Sequence, residues 1–480
     1  MLRIAKIMVV ACIPVFAAAA AGDATNPSAP FTVSPETTAI LEPIRPDGSV
    51  DYVAALNQRF SQGVTPENNG YVLWLRVMGT NGLPQSVRKQ TLAMCGAEEL
   101  NATDIGWTGY SREPRVEQGA LHLWKAEDDP AYVAYLNSQE NILDFATQAA
   151  AKPRWWSPYV SSTGSLMMVL LPQLNPMRNV SNTLCDRALL RARQGDFDGF
   201  LSDVMTVKWL SRRTSGPFIV CDLVAIGIDI LADRTIAAAA GAGIFSTDQC
   251  AKLAKALDGL EPLRPLWRSV DTERLTALEW SESIATGNLQ RLSEGGADSD
   301  RWQKMFKEVD RDSVDWNAVL KQINGDYDEL VEIMKTPSLK DEQVARRPFD
   351  RKFAKIKTNA LSRARLAKQP GETNEAYTQR VTDAILSVLL PNLSRAADTY
   401  RLGLLQEKMA RAVVAAAQYR ADKGKWPDRL GDLTPEYLAE APKDIFSVTG
   451  EQPVRYQMTH AGICLHAHGT QGSDIAVGAH

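Results

Sequence analysis

Several things are scarce in this chain of 480 residues, and each scarcity narrows its chemistry. No C-x-x-C pair occurs, which removes both the redox dithiol and the usual zinc knuckle. There are 5 histidines, and His460, His466, His468 and His480 crowd into the last stretch of chain, so His122 is the lone histidine for a helical body. No nucleophile elbow, zincin helix or phosphate-cradling glycine loop is present. Basic charge is not in excess: 53 Lys and Arg face 57 Asp and Glu, which argues against nucleic acid as a partner. Past the first residues no long apolar run is free of charge, so no membrane span is expected in the mature chain.

What is present is mostly helical patterning. "MLRIAKIMVVACIPVFAAAAAGDA" places Arg3 and Lys6 before an apolar run and a small-residue tract. This is the order of a secretory signal, expected over 1–21 with cleavage near Ala21, and it implies a periplasmic or secreted protein. Residues 22–40, rich in Pro, Ser and Thr, read as a linker. Tyr52, Val53, Leu56 and Phe60 then recur at helical spacing, and Thr65 with Pro66 reads as the cap of the next helix.

The middle of the chain reads as four helices. Gly195-Asp196 and Gly216-Pro217 divide them, and Ser246 or Thr247 caps the last. "RALLRARQGDFDGFLSDVM" resembles one tetratricopeptide-type hairpin, although no 34-residue period follows it. The run from Phe218 to Ala240 is almost wholly apolar but carries Asp222, Asp229, Asp233 and Arg234, the mark of a core helix. The expected class is therefore mainly α. An irregular body of antiparallel helix pairs spans 41–384, with subdomains at 41–155 and 156–370, and a small α+β domain fills 385–480. The long helix of that domain is expected to run from about Val381 to Asp422 with a kink at Pro391.

Six cysteines, of which Cys12 falls in the signal, leave Cys95, Cys185, Cys221, Cys250 and Cys464. An odd set leaves at least one thiol unpaired. Cys185 with Cys221 is the preferred disulfide, against the alternative of buried free thiols.

Three groups of residues carry candidate chemistry. Arg346, Arg347, Arg351, Lys352, Lys355, Lys357, Arg363 and Arg365 surround a narrow apolar stripe of Phe349, Phe353 and Ile356. Such a helix lies on anionic lipid, holds an acidic partner, or pairs with the acidic 294–345 segment of its own chain. In "DTERLTALEWSES", Asp271, Glu279 and Glu282 share one helix; paired carboxylates can perform acid–base work, but the expected role is a solvated helix edge. His466 and His468 would project from one face of a strand near Asp474, a weak transition-metal site set against simple exposed histidines.

The last stretch carries a resemblance. Tyr419, Gly424, Trp426, Pro427, Leu430, Leu433, Pro435, Tyr437, Leu438, Pro442, Lys443, Asp444 and Tyr456 fall in one order. Over about the last 95 residues that order resembles the soluble domain of type II secretion major pseudopilins. The resemblance implies a long helix, a turn-rich connection and a terminal sheet. It also implies a calcium loop, for which "HGTQGSDIAVG" keeps Gly469, Gly472, Asp474 and Ile475 but only one carboxylate. Ile445 stands where the family has a second Pro or Trp-Gly, and no prepilin-type N-terminus occurs. The whole chain resembles exported planctomycete proteins that join a helical region to such a tail. The function expected is a non-catalytic interaction or scaffold protein of the envelope, docking through the tail to envelope proteins and needing no cofactor. The alternative is a hydrolase or small-ligand-binding protein with its site in the helical body.

Overall fold

The computed structural model describes residues 29–100, 106–109, 121–292, 303–362, 366–390, 393–447, 452–469 and 474–479, with side chains at 359–362 and 393–394 left aside. The expected signal over 1–21 lies outside the described residues. The helices are α1 (Tyr52–Phe60), α2 (Gly70–Met78), α3 (Gln85–Cys95), α4 (Pro130–Ser138), α5 (Glu140–Ala151), α6 (Leu174–Gln194) and α7 (Phe197–Thr214). There follow α8 (Ile219–Gly241), α9 (Thr247–Asp258), α10 (Trp267–Ala285), α11 (Trp316–Met334), α12 (Leu339–Ser362), α13 (Asn374–Leu389) and α14 (Leu393–Lys423). Strands β1 (Arg455–Thr459), β2 (Gly462–His468) and β3 (Asp474–Gly478) form one antiparallel three-stranded sheet in the order β1-β2-β3. The protein is mainly α with a small C-terminal sheet, as the patterning predicts.

Local signals set the boundaries that they should. Gly195 closes α6 at φ 81°, where a Cβ would be strained, and Asp196 accepts from the Gly199 N–H to open α7. Ser246 and Gln249 form a reciprocal capping box on α9. One expected cap is displaced: α2 is capped by Asn69, not Thr65. Asn69 wins because its amide also ties the backbone of Trp156, 2.9 and 3.0 Å away, so a distant segment fixes where the helix begins. Pro391 lies outside the described residues; the single long helix expected there is two helices, α13 and α14, on either side of it.

α8 sits at the centre. Its alanine-rich end, Ala237 to Ala240, packs on the Ala- and Val-lined Ala412 to Ala417 stretch of α14, and all of these side chains are buried. Small residues let two helix axes approach closely, and the sheet then closes over the end. A Cβ on Gly241 would lie 2.9 Å from both Ile463 O and Ala479 N, so only glycine admits β2 and β3 at this distance. Ile463, Leu465 and Ala467 of β2 and Ile475 and Val477 of β3 complete this core.

A continuous core therefore crosses residue 384. The division expected between a helical body and a separate tail is not a break in packing, because the tail buries its apolar face against α8 and α9 as well as within itself. A second core joins α1, α10, α11, α12 and α13, and a third joins α2, α5, α6 and α7. Residues 29–40, expected as linker, pack on the second core instead. Phe31, Thr37 and Thr38 are buried, and Asn324 of α11 donates to the Glu36 and Thr37 carbonyls. Threonines can line such a strap because their hydroxyls find backbone acceptors, here Ser34 O for Thr38.

Candidate functional site

A charge inside the molecule is reactive or structural according to the partners that meet it. Asp222, Asp229 and Asp233 recur along α8 and are all buried. Lys208 of α7, fully buried, reaches Asp229 at 2.9 Å and Asp233 at 2.5 Å, and Arg212 one turn on also pairs with Asp229. Burial alone would strip the lysine of its proton, but Asp233 and Asp229 outweigh it and hold the Lys208 pKa above its ordinary value. Burial pushes the Asp233 carboxyl up, against the pull of Lys208. On the neighbouring hairpin Arg187 holds Asp203 bidentately at 3.0 and 2.6 Å. These groups clip α6, α7 and α8 together. The sequence signals α8 as a core helix but gives no sign that Lys208 is its partner.

The carboxylate pair on α10 needs a correction. Glu279 and Glu282, expected at a solvated edge, are buried, and only Asp271 is exposed, 2.6 Å from Arg274. Residues 44–52 and 164–166 cover what would be the polar face. Glu282 accepts from the Val50 N–H at 2.7 Å and the Tyr52 hydroxyl at 2.5 Å. Glu279 accepts from the Leu166 N–H at 2.6 Å, the Ser165 hydroxyl at 2.9 Å and Arg45 at 3.2 Å. Burial pushes the Glu282 carboxyl up to about 8, against the Tyr52 and Val50 hydrogen bonds. The pair is a clamp for irregular backbone, and its oxygens are occupied.

The expected disulfide is not formed. All five of these thiols are buried, and none is in a disulfide. Cys185 lies within the α2–α5–α6 core while Cys221, in the first turn of α8, belongs to the core around α10, so the two face different interiors. Burial pushes the Cys221 thiol up to about 12, which leaves it unreactive.

The terminal histidines are separated by their partners. His468 is held by Asp444, its backbone N–H at 2.8 Å and Nδ1 at 2.6 Å, and Asp444 also accepts from Phe446 N, so it ties the Pro-Lys-Asp corner to the end of β2. Asp474 pairs with Arg455 at 3.1 Å. Burial, with Arg455 beside it, pushes the His466 pKa down. Among the described residues no group of His, Cys, Asp and Glu could hold a metal ion, and residues 470–473 of the expected calcium loop lie outside them.

The basic helix divides into two faces. On α12, Arg346 is buried against Glu342, and Lys352 reaches Asp326 and Glu329 of α11, so two of its cations pair within the 294–345 segment. Lys357 lies 5.0 Å over the Phe353 ring. Arg347, Arg351 and Lys355 are exposed at spacings of four residues and make no ion pair among the described residues. Arg363 and Arg365 lie outside the described residues. The inward stripe is as expected in part: Phe349 and Ile356 are buried.

A further feature went unread in the sequence. Trp155, Trp156, Ser157 and Tyr159 of "KPRWWSPY", between α5 and α6, form one wall of a small cleft of about 50 Å³, with Phe60, Gln173, Arg213 and Cys221 on the other sides. Two adjacent tryptophans bracketed by prolines could have drawn attention to it. No described helix is long and apolar enough to cross a membrane. Comparison with known proteins finds no matching family model, no matching curated protein and no matching solved structure.

Proposed function

We propose that the chain is a non-catalytic interaction protein of the cell envelope that holds an acidic protein partner. The observation that carries this reading is the row Arg347, Arg351 and Lys355, exposed on one face of α12 while neighbouring Arg346 and Lys352 are neutralised internally. Unpaired cations held on a rigid helix steer and orient an anionic surface. A protein surface suits this row better than a bilayer: α12 turns Phe349 and Ile356 inward, and among its described side chains Val344 is the one large hydrophobic left exposed, too little for an apolar face that inserts. The conversion of both buried carboxylate pairs into internal clips also favours binding over acid–base catalysis, since a catalytic acid must reach substrate.

Placement in the envelope rests on the signal-like order of the first residues, and docking through the tail rests on the pseudopilin resemblance. In this reading the tail, packed on α8, presents its outer sheet edge, β1 with exposed Met458, as a second contact. The test is sedimentation of the full-length protein with envelope fractions at low and high salt. Wild type is expected to co-sediment at low salt, and the triple variant R347E/R351E/K355E to stay in solution at unchanged thermal stability. Protease treatment of the fractions should abolish binding. Binding that survives protease, or transfers to anionic vesicles, would make the partner a membrane, and a variant that still sediments like wild type would sink the reading.

A further inference from the structure

A glycine inside a helix costs stability, and close packing is the usual return. Gly241 admits the sheet, and Gly403 of α14 faces Ile226 Cγ2, 2.8 Å from where its Cβ would stand. Gly227, in the middle of α8, has no such contact. It is exposed, and a Cβ added there would meet nothing within 4 Å. What the missing side chain leaves open is a groove of about 260 Å³ between α6 and α8.

The floor of this groove is apolar. Ile228 is buried, and Ile230, Leu231 and Leu121 are half-buried. Gly227, Leu231 and Arg234 follow one another at spacings of four and three, so they share one face of α8 over about 10 Å. Arg234 closes that face at one end, and Arg178 and Asn182, one turn apart on α6, form the opposite wall. No carboxylate lines the groove.

Arg234 is half-buried and has spent one donor: its Nε bonds Gln406 Oε1 of α14 at 3.1 Å. That bond fixes the guanidinium and leaves its two terminal nitrogens over. The acids of its own helix are answered elsewhere, Asp229 and Asp233 by Lys208 and Arg212. Burial pushes the Arg234 pKa down, and no anion acts against it. Arg178 is exposed and donates Nη2 to Asn175 Oδ1 at 2.9 Å; among the described residues it too makes no ion pair. The groove is thus an apolar trough with positive charge at its rim.

We propose that this groove binds a single-chain alkyl carboxylate, its head received by the terminal nitrogens of Arg234 and its chain laid along Leu231, Ile230 and the bare backbone at Gly227. The two terminal nitrogens of a guanidinium match the two oxygens of a carboxylate. An unbranched chain fits a trough floored by main chain, and it takes apolar surface on both sides out of water. An octyl chain is about as long as the trough. The site lies on α6 and α8, apart from the cations of α12, so this inference stands independently of the interaction role proposed above.

Octanoate is the probe, used below the concentration at which it forms micelles. Octanamide keeps the chain without the charge, and acetate keeps the charge without the chain. With the full-length protein methyl-labelled at isoleucine and leucine, octanoate should shift the Ile230 and Leu231 resonances saturably. Octanamide should bind about tenfold more weakly, because a charge-assisted pair is exchanged for a neutral one. Hexanoate should also bind about tenfold more weakly, because two methylenes leave the trough. Gly227→Leu puts a side chain where nothing stands; it should weaken octanoate at least about tenfold while the melting temperature of the free protein holds or rises. Arg234→Gln also takes a donor from Gln406, so its readout is a ratio, not stability: the preference for octanoate over octanamide should vanish. Equal binding of octanoate and octanamide to wild type, undiminished binding to Gly227→Leu, or no methyl shift at millimolar octanoate would each overturn the assignment. Acetate as tight as octanoate would overturn the role of the trough. A wild type that self-associates, ignores octanoate and turns monomeric on Gly227→Leu would give the groove to a second copy of the chain instead.

Discussion

Two buried carboxylate pairs hold this molecule together by different chemistry. Asp229 and Asp233, one helical turn apart on α8, are met by Lys208 and Arg212 from a facing helix. Glu279 and Glu282, three residues apart on α10, are met mainly by backbone N–H groups and hydroxyls, with Arg45 as the cation. The difference follows from what covers each pair. A straight helix has its own N–H groups engaged, so only its long side chains can reach across. An irregular strap such as 44–52 has N–H groups to satisfy, and a carboxylate satisfies two at once. Cation and anion are matched by charge in the first case, and acceptors are matched to orphan donors in the second.

That contrast breaks most sharply at Lys208. Lys208→Met should destabilise the protein by about 3–5 kcal/mol in urea denaturation, because it strands buried aspartates. Adding Asp233→Leu to it should recover most of the loss, since Arg212 still answers Asp229. A double variant no more stable than the single would mean that packing, not charge, is what Lys208 provides.

The α10 pair should respond to chemistry rather than charge. Glu282→Ala leaves the Val50 N–H without an acceptor, although the Tyr52 hydroxyl still has Thr38 O, and should cost about 1–3 kcal/mol. Glu282→Gln can still accept from Val50 and donate to Tyr52, whose own proton turns to Thr38 O, 2.9 Å away; the loss should be under about 1 kcal/mol. The pH dependence then separates the two forms. With the folded carboxyl at about 8 against an ordinary 4.5, the native state keeps a proton that the unfolded state has released. The stability from that proton is present below 4.5 and is lost as pH rises to about 8. Glu282→Gln should therefore gain on wild type between pH 5 and pH 8, read from urea midpoints at each pH. Parallel profiles would mean that Glu282 is ionised throughout.

The exposed pair Lys252–Asp198, at 2.6 Å, sharpens the comparison from below. Both side chains are more than half exposed, so Asp198→Ala should change stability by under about 0.5 kcal/mol, less still in high salt. A larger loss would show that α9 depends on this contact more than on its apolar face.

How much of this was legible depends on the range over which each signal acts. The Gly195-Asp196 turn, the cap at Ser246 or Thr247 and the apolar α8 could be read because their causes lie within a few residues. The fate of Glu282 could not. Its donors, Val50 and Tyr52, stand 232 and 230 residues away in sequence, and without them the same helix reads as an ordinary amphipathic edge. Thr65 lost the α2 cap to Asn69 for the same kind of reason, a bond to Trp156 across 87 residues. The basic helix was half legible: its composition announced the cations, but only the packing of α12 on α11 sorted Lys352 from Arg351.

By itself, then, the sequence determined the helical class, several helix boundaries, the burial of α8 and the terminal sheet, because backbone hydrogen bonding and side-chain periodicity act over one or two turns. Only the tertiary structure decided which charges pair, which thiols stay apart, and whether the C-terminal helix and sheet form a unit of their own or share a core with α8. Those outcomes are set by which surfaces meet, and a buried charge takes its meaning from the partner brought to it.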